Sequence, residues 1–367
     1  MPYLLLICLL VSGVVCTHGY IGTNRRYLSA PALTSAVPSL ARTLSHQPKN
    51  VLFSTVSNVS APNKPIKNKL LLRWITGLSL GALGTLWIIS GNSAFTFGFL
   101  ITSLIAQSEY YGILKAKGII PASKIGTLST VICYVAAAFM PKYHELMMPL
   151  SVTALMTWLL VFNKKVASIS EISSSLLGMY YVGYLPSFWV RLRAIDALPN
   201  TQIPYIFVEL NKKLPDIYSL GALITWITWT AIVVADVAAY FVGKNFGKNK
   251  LSTVSLAAGS ASPNKTVEGA LGGFSFCVLF CILGAYLLDW PKFVLSGSLY
   301  GLLVSFVALV GDLTASMMKR DAGLKDTGSI LPGHGGLLDR IDSYMLTAPA
   351  CYFFITTVLP IINKISS

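Results

Sequence analysis

Nine apolar runs, each closed by charge, proline or a glycine-rich turn, divide this chain between Leu71 and Ile362. A run of about 20 apolar residues matches the hydrocarbon thickness of a bilayer when it is helical, and only helices or closed barrels satisfy their backbone groups there. The runs are Leu71–Ile89, Ala94–Ala106, Ile125–Met140, Met147–Phe162, Ser173–Val190, Ser219–Val242, Gly269–Leu288, Phe293–Val310 and Tyr344–Ile362, the second being short. The predicted fold is therefore all-α, a polytopic integral membrane protein with about nine transmembrane helices. Composition agrees, since 54% of residues are hydrophobic and 11% charged, against about a quarter charged in soluble domains.

Short links such as Asp289–Lys292 force neighbouring helices to run antiparallel, whereas Arg191–Asp216 is long enough for an interfacial helix or a surface loop. Small residues such as Gly269, Gly272 and Gly273 let helix backbones approach closely. Lys and Arg occur in loops on both sides, so the positive-inside rule does not orient the chain. Cys133, Cys277, Cys281 and Cys351 fall inside apolar runs and read as small packing residues.

The formal charge of +14 is concentrated at the N-terminus, where Arg25, Arg26, Arg42, Lys49, Lys64, Lys67, Lys69 and Arg73 all precede the first acid, Glu109. A basic, acid-free, Ser-rich extension ahead of a membrane domain has the composition of a transit peptide, so the excess charge does not imply nucleic acid. Residues 1–19 carry a short apolar stretch from Leu4 to Val15 followed by small and polar residues, as a secretory leader does. The expected division is a signal-like leader at 1–19, a basic transit-like extension at 20–70 and a transmembrane domain at 71–367. A leader in two parts suits a plastid-type membrane of secondary endosymbiotic origin; the ER membrane is the alternative.

Two polar clusters interrupt the apolar pattern. The first places Asp236 near the end of a span and continues through Gly243, Lys244, Gly247 and Lys248 to Ser262-Pro263-Asn264-Lys265-Thr266-Val267-Glu268-Gly269. Its G-x-x-x-G-K stretch lacks the Ser or Thr of a P-loop and follows a membrane span. The second runs from Gly311 to Ser343 and holds five of the fourteen acids. A carboxylate at the end of a span is costly unless it lines a cavity or meets a cation. On one helix Asp312, Ser316 and Lys319 share a face, as do Asp339 and Asp342 on the next. Two expected spans separate the loop after Gly243 from the loop after Met318, so both emerge on one side of the membrane and their side chains can meet.

Three carboxylates, Asp312, Asp339 and Asp342, are thereby expected to converge beside Lys319, Arg320, Lys325 and Arg340. Hard oxygen ligands among cations suit Mg²⁺ carrying phosphate oxygens, and nucleotide phosphates are the natural guest. Pro332, Gly333, Gly335 and Gly336 allow a tight turn whose N–H groups approach an anion near the start of the last helix, with His334 placed to bond phosphate or a carboxylate.

From Ser316 to Asp342 the chain follows S-x-x-K-R-x-x-x-x-K-D and then P-G-H-G-G-x-x-D-R-x-D, and here it resembles the CDP-diacylglycerol synthases, or phosphatidate cytidylyltransferases. The block from Asp236 to Gly269 is similar to the family's second motif, with Val267 where an aromatic residue is usual. The resemblance implies a polytopic enzyme, often a homodimer, that transfers a cytidylyl group from CTP to phosphatidate among membrane lipids, with Mg²⁺ and an open question of a second cation. It assigns Asp312, Asp339 and Asp342 to metal. Lys265, Ser316, Lys319, Arg320, Lys325, His334 and Arg340 go to substrate phosphates, and Asp236, Glu268 and Asp326 to positioning those bases. A CTP-dependent polyprenol or phytol kinase and a cation transporter are the other classes that membrane acids allow. The synthase releases pyrophosphate, the kinase releases CDP, and the transporter consumes no CTP.

Overall fold

The computed structural model describes residues 81–163, 165–196, 219–328 and 335–366. The leader, the basic extension, the first part of the first expected span, most of the Arg191–Asp216 link and His334 lie outside the described residues.

Helical residues 81–89 precede α1 (Asn92–Ala116), α2 (Ser123–Phe139), α3 (His144–Val161), α4 (Ile169–Leu177) and α5 (Phe188–Arg193). After the undescribed link come α6 (Leu220–Phe246), the short α7 (Leu256–Ala261), α8 (Val267–Leu287), α9 (Phe293–Asp321), α10 (Leu338–Phe353) and α11 (Leu359–Ser366). Among the described residues there is no strand, only an isolated antiparallel bridge between Lys250 and Thr266. The fold is all-α.

Each expected apolar run falls on helix where it is described, and among the described residues five stretches are long and apolar enough to cross a bilayer: Pro141–Val161, Leu220–Phe246, Val267–Leu287, Phe293–Asp321 and Leu338–Ile365. Five of the about nine expected spans are met among the described residues. The first run is only partly described, and three others fall short for local reasons. Helix α2 has 17 residues, and α1 turns buried Ser103, Gln107 and Glu109 toward the protein interior. The run Ser173–Val190 is not one regular helix: α4 widens into a π-helical segment at Gly178–Tyr184 and tightens into a 3₁₀ turn at Leu185–Ser187 before α5. A π segment leaves carbonyls out of register, and Gln107 Nε2 of α1 donates to Gly178 O at 3.2 Å. The rings of Tyr110 and Tyr111 fill the space where a Cβ on residue 178 would stand.

Polar side chains start the helices of the second half. Ser219 Oγ accepts from Ala222 N at 3.2 Å at the start of α6, and Thr266 Oγ1 from Gly269 N at 3.1 Å at the start of α8. Each satisfies a donor that the first helical turn leaves free. Between α8 and α9 the chain reverses through Asp289 and Lys292, both in left-handed conformation (φ 54° and 44°). The two helices then pack so closely that a Cβ on Gly297 or Gly301 would lie 2.6 Å from the Cα of Ile282 or Val278. Helices α6, α8, α9 and α10 pack in succession. An aromatic cluster of Trp87, Phe95, Phe99, Trp189, Trp229 and Tyr344 joins them to the first half. The loop ends of α1, α6, α8, α9 and α10 consequently gather at one end of the bundle, where Lys117 pairs with Asp321.

Candidate active site

The first polar cluster is shaped by a hairpin-like return between α6 and α8. Leu251 N donates to Lys265 O at 2.9 Å and Val267 N to Asn249 O at 2.9 Å. Glu268 tightens the same return by accepting from Asn249 N at 3.0 Å and Asn249 Nδ2 at 2.8 Å. Glu268 therefore shapes, through Asn249, the loop that carries Lys265.

Lys265 leaves this loop and reaches across to α9, with Nζ 2.5 Å from Asp312 Oδ2. That ion pair joins segments 47 residues apart, and it brings the two polar clusters into one site. Burial disfavours the ammonium, but Asp312, with Asp236 and Asp342 behind it, outweighs this and holds the Lys265 pKa above its ordinary value. Ser316 Oγ, one turn along α9, donates to Asp312 Oδ1 at 3.4 Å. Asp236, Asp312 and Asp342 lie within Coulombic reach of one another.

Asp342 reaches this group because α10 lies against α9 at Gly311, where a Cβ would stand 2.6 Å from Asp342 O. Tyr181 Oη of the π segment donates to Gly311 O at 3.2 Å. Asp342 is itself buried and accepts from Ser343 N at 2.7 Å.

Asp339 sits differently. Lys319 Nζ is 2.7 Å from its Oδ1, with only 11% and 9% of the two side chains exposed. Its Oδ2 accepts from Thr327 N at 2.9 Å, Thr327 Oγ1 at 3.0 Å and Gly336 N at 3.1 Å. Lys319, expected at a phosphate, is engaged with this carboxylate. Among the described residues no three acidic, His or Cys side chains close on a single point as a metal cage would. Asp312 is engaged by Lys265 and Ser316, Asp342 by Ser343 N, and Asp339 is turned toward Lys319 and Thr327. The expected convergence of three carboxylates is to that extent replaced by an open arrangement.

The remaining basic residues stay at the rim. Arg320 is exposed and donates to Leu324 O at 3.2 Å, closing the end of α9. Lys325, Asp326 and Arg340 are exposed, with Asp326 Oδ1 near Gly335. The expectation that backbone N–H groups at the start of the last helix await an anion is corrected for the described part of the turn. Gly336 N is taken by Asp339, and Leu337 N and Leu338 N donate to Glu109 at 2.9 and 2.8 Å. Glu109 of α1 was not singled out in the sequence, and nothing nearby marks it there. The only hint is that an acid stands in an otherwise apolar helix.

Four carboxylates (Asp236, Asp312, Asp339, Asp342) thus meet two buried or half-buried ammonium groups (Lys265, Lys319). The donor set is all oxygen and its charge is net negative, so it fits a hard divalent cation. Mg²⁺ takes one or two protein carboxylates and completes its shell with water and substrate phosphate, which an open arrangement permits and a cage does not.

The model of the cytidylyltransferase family matches residues 71–358. A phosphatidate cytidylyltransferase of Synechocystis sp. is 40% identical over 288 residues, 77% of this chain and 96% of that protein. Phosphatidate cytidylyltransferase 4, chloroplastic, of Arabidopsis thaliana is 32% identical over 349 residues, covering 93% of this chain and 86% of that protein. The phosphatidate cytidylyltransferase of Bacillus subtilis is 28% identical over 287 residues, 77% of this chain and 96% of the relative.

Proposed function

This chain belongs to the cytidylyltransferase family, and on that premise we propose that it is a membrane-embedded phosphatidate cytidylyltransferase whose site is closed by the Lys265–Asp312 pair. It transfers a cytidylyl group from CTP to phosphatidate and gives CDP-diacylglycerol and pyrophosphate. In this reaction a phosphate oxygen of phosphatidate forms a bond to the α-phosphorus of CTP while the bond from that phosphorus to the bridging oxygen breaks, and the electron pair leaves with pyrophosphate. The lipid phosphate is already a nucleophile, so the protein's work is alignment and neutralisation of the growing charge.

The single observation that carries the reading is that Lys265, from the loop before α8, meets Asp312, on α9, at 2.5 Å. An ammonium on a flexible stem beside clustered carboxylates can shift onto a phosphate when substrate enters. Asp312 and Asp342 would hold Mg²⁺, and Asp339, oriented by Lys319 and Thr327, would border the ion without closing a cage on it. Bound there, Mg²⁺ would offset the negative charge of both the carboxylates and the pyrophosphate. Arg320, Lys325 and Arg340, on the exposed rim, would meet phosphates arriving from water. Purified protein in nanodiscs should convert CTP and phosphatidate to equal amounts of pyrophosphate and CDP-diacylglycerol in Mg²⁺. Release of CDP would instead identify a kinase.

The protein is a multi-pass membrane protein, and relatives named chloroplastic support a plastid membrane. Residues 1–70 fused to a fluorescent reporter should carry it to the plastid; retention in the ER would favour the other address.

A further inference from the structure

Helix α10 carries Asp339 and Asp342 in its first turns, yet Leu337, the residue that precedes it, provides no side-chain cap. A helix start leaves several N–H groups without intrahelical partners, and burying them unpaired is costly. The acceptor here comes from far away in sequence. Glu109 on α1 takes Leu337 N at 2.9 Å on Oε1 and Leu338 N at 2.8 Å on Oε2, across separations of 228 and 229 residues. Glu109 is only 7% exposed, and among the described residues the donors it meets are neutral: these two amides and Thr327 Oγ1 at 3.2 Å. A buried carboxylate without an ammonium partner is stabilised here by the positive end of the α10 dipole. The turn is cut to admit it, since a Cβ on Gly336 would stand 2.6 Å from Glu109 Oε2 and one on Gly328 2.8 Å from Oε1.

Thr327 links this cap to the chemistry. Its hydroxyl has one hydrogen and two carboxylate acceptors in reach, Glu109 Oε2 at 3.2 Å and Asp339 Oδ2 at 3.0 Å. The backbone N–H of Thr327 also holds Asp339, at 2.9 Å. Displacing Glu109 therefore frees both the first turn of α10 and the loop that orients Asp339.

We propose that Glu109 is a positioning residue for cytidylyl transfer: from α1 it caps α10 and, through Thr327, fixes the orientation of Asp339. The catalytic part of this inference rests on the function proposed above; the structural part does not. Two glycines that the sequence reading gave to phosphate, or left unassigned, serve this carboxylate.

Glu109→Gln keeps the shape but replaces one of the two acceptor oxygens by an NH₂ donor facing N–H or O–H groups. In nanodiscs this variant is expected to stay folded, to lose about 10–100-fold in kcat as removal of an orienting partner does, and to change KM for phosphatidate by less than about threefold. Independently of activity, hydrogen exchange of the peptide containing Gly336, Leu337 and Leu338 should accelerate, while the middle of α9 is unchanged. Thr327→Val, which removes the shared hydroxyl, should lose about tenfold in kcat, and Thr327→Ser should recover most of that loss. A folded Glu109→Gln enzyme with wild-type kcat and wild-type exchange at 336–338 overturns the proposal. If Glu109→Gln does not fold, equal kcat in Thr327→Val and Thr327→Ser overturns it. Should wild type make no CDP-diacylglycerol, the functional reading falls and the exchange comparison still decides whether Glu109 caps α10.

Discussion

The site contains two lysine–aspartate pairs, and they are built to different purposes. Lys265–Asp312 joins a loop to a helix, leaves 29% of each side chain exposed, and its lysine comes from a short return held mainly by backbone bonds. Lys319–Asp339 joins two helices, is nearly sealed, and its carboxylate is bonded on both oxygens to donors that include two backbone amides. An ion pair sealed from water is costly to break and contributes little by moving. One left partly wet can exchange partners when a polyphosphate enters. The comparison assigns the first pair to substrate and the second to the frame that holds the carboxylates in place.

The comparison breaks most visibly at the sealed pair. Lys319→Ala strands Asp339 in a buried setting, and loss of one partner there is expected to cost about 3–5 kcal/mol of stability. A fall in thermal stability measured in EDTA would show it, and wild-type stability would make this pair as dispensable as a surface one. Lys265→Ala should leave thermal stability nearly unchanged while removing about 2–4 kcal/mol of transition-state stabilisation, read as loss of kcat/KM for CTP. If Lys265→Ala unfolds the protein and Lys319→Ala does not, the assignment is reversed.

Much of this was legible in the sequence, for physical reasons that also mark its limits. Helical periodicity put Asp312 and Ser316 on one face of α9, and their 3.4 Å contact follows from four-residue spacing alone. Counting spans puts the loop after Gly243 and the loop after Met318 on the same side, and the Lys265–Asp312 ion pair agrees. Hydropathy located the apolar runs, but it could not foresee the π segment at Gly178–Tyr184, which answers to Tyr110, Tyr111 and Gln107 on another helix. Nor could it place Glu109, because its partners are backbone amides more than two hundred residues away, and a backbone amide has no sequence signature. The glycine-rich turn was read as an anion cradle. The described part does cradle an anion, but that anion is the protein's own carboxylate.

The central claim is that the two polar clusters form one site through Lys265 and Asp312. A double-mutant cycle on single-turnover CTP consumption, using Lys265→Gln, Asp312→Asn and the double variant in nanodiscs, tests it most directly. The account predicts that the double variant loses less than the sum of the single losses, with a coupling of about 1–3 kcal/mol, as residues in contact show. Strict additivity, with all three variants folded, would mean that the clusters act separately and would contradict it.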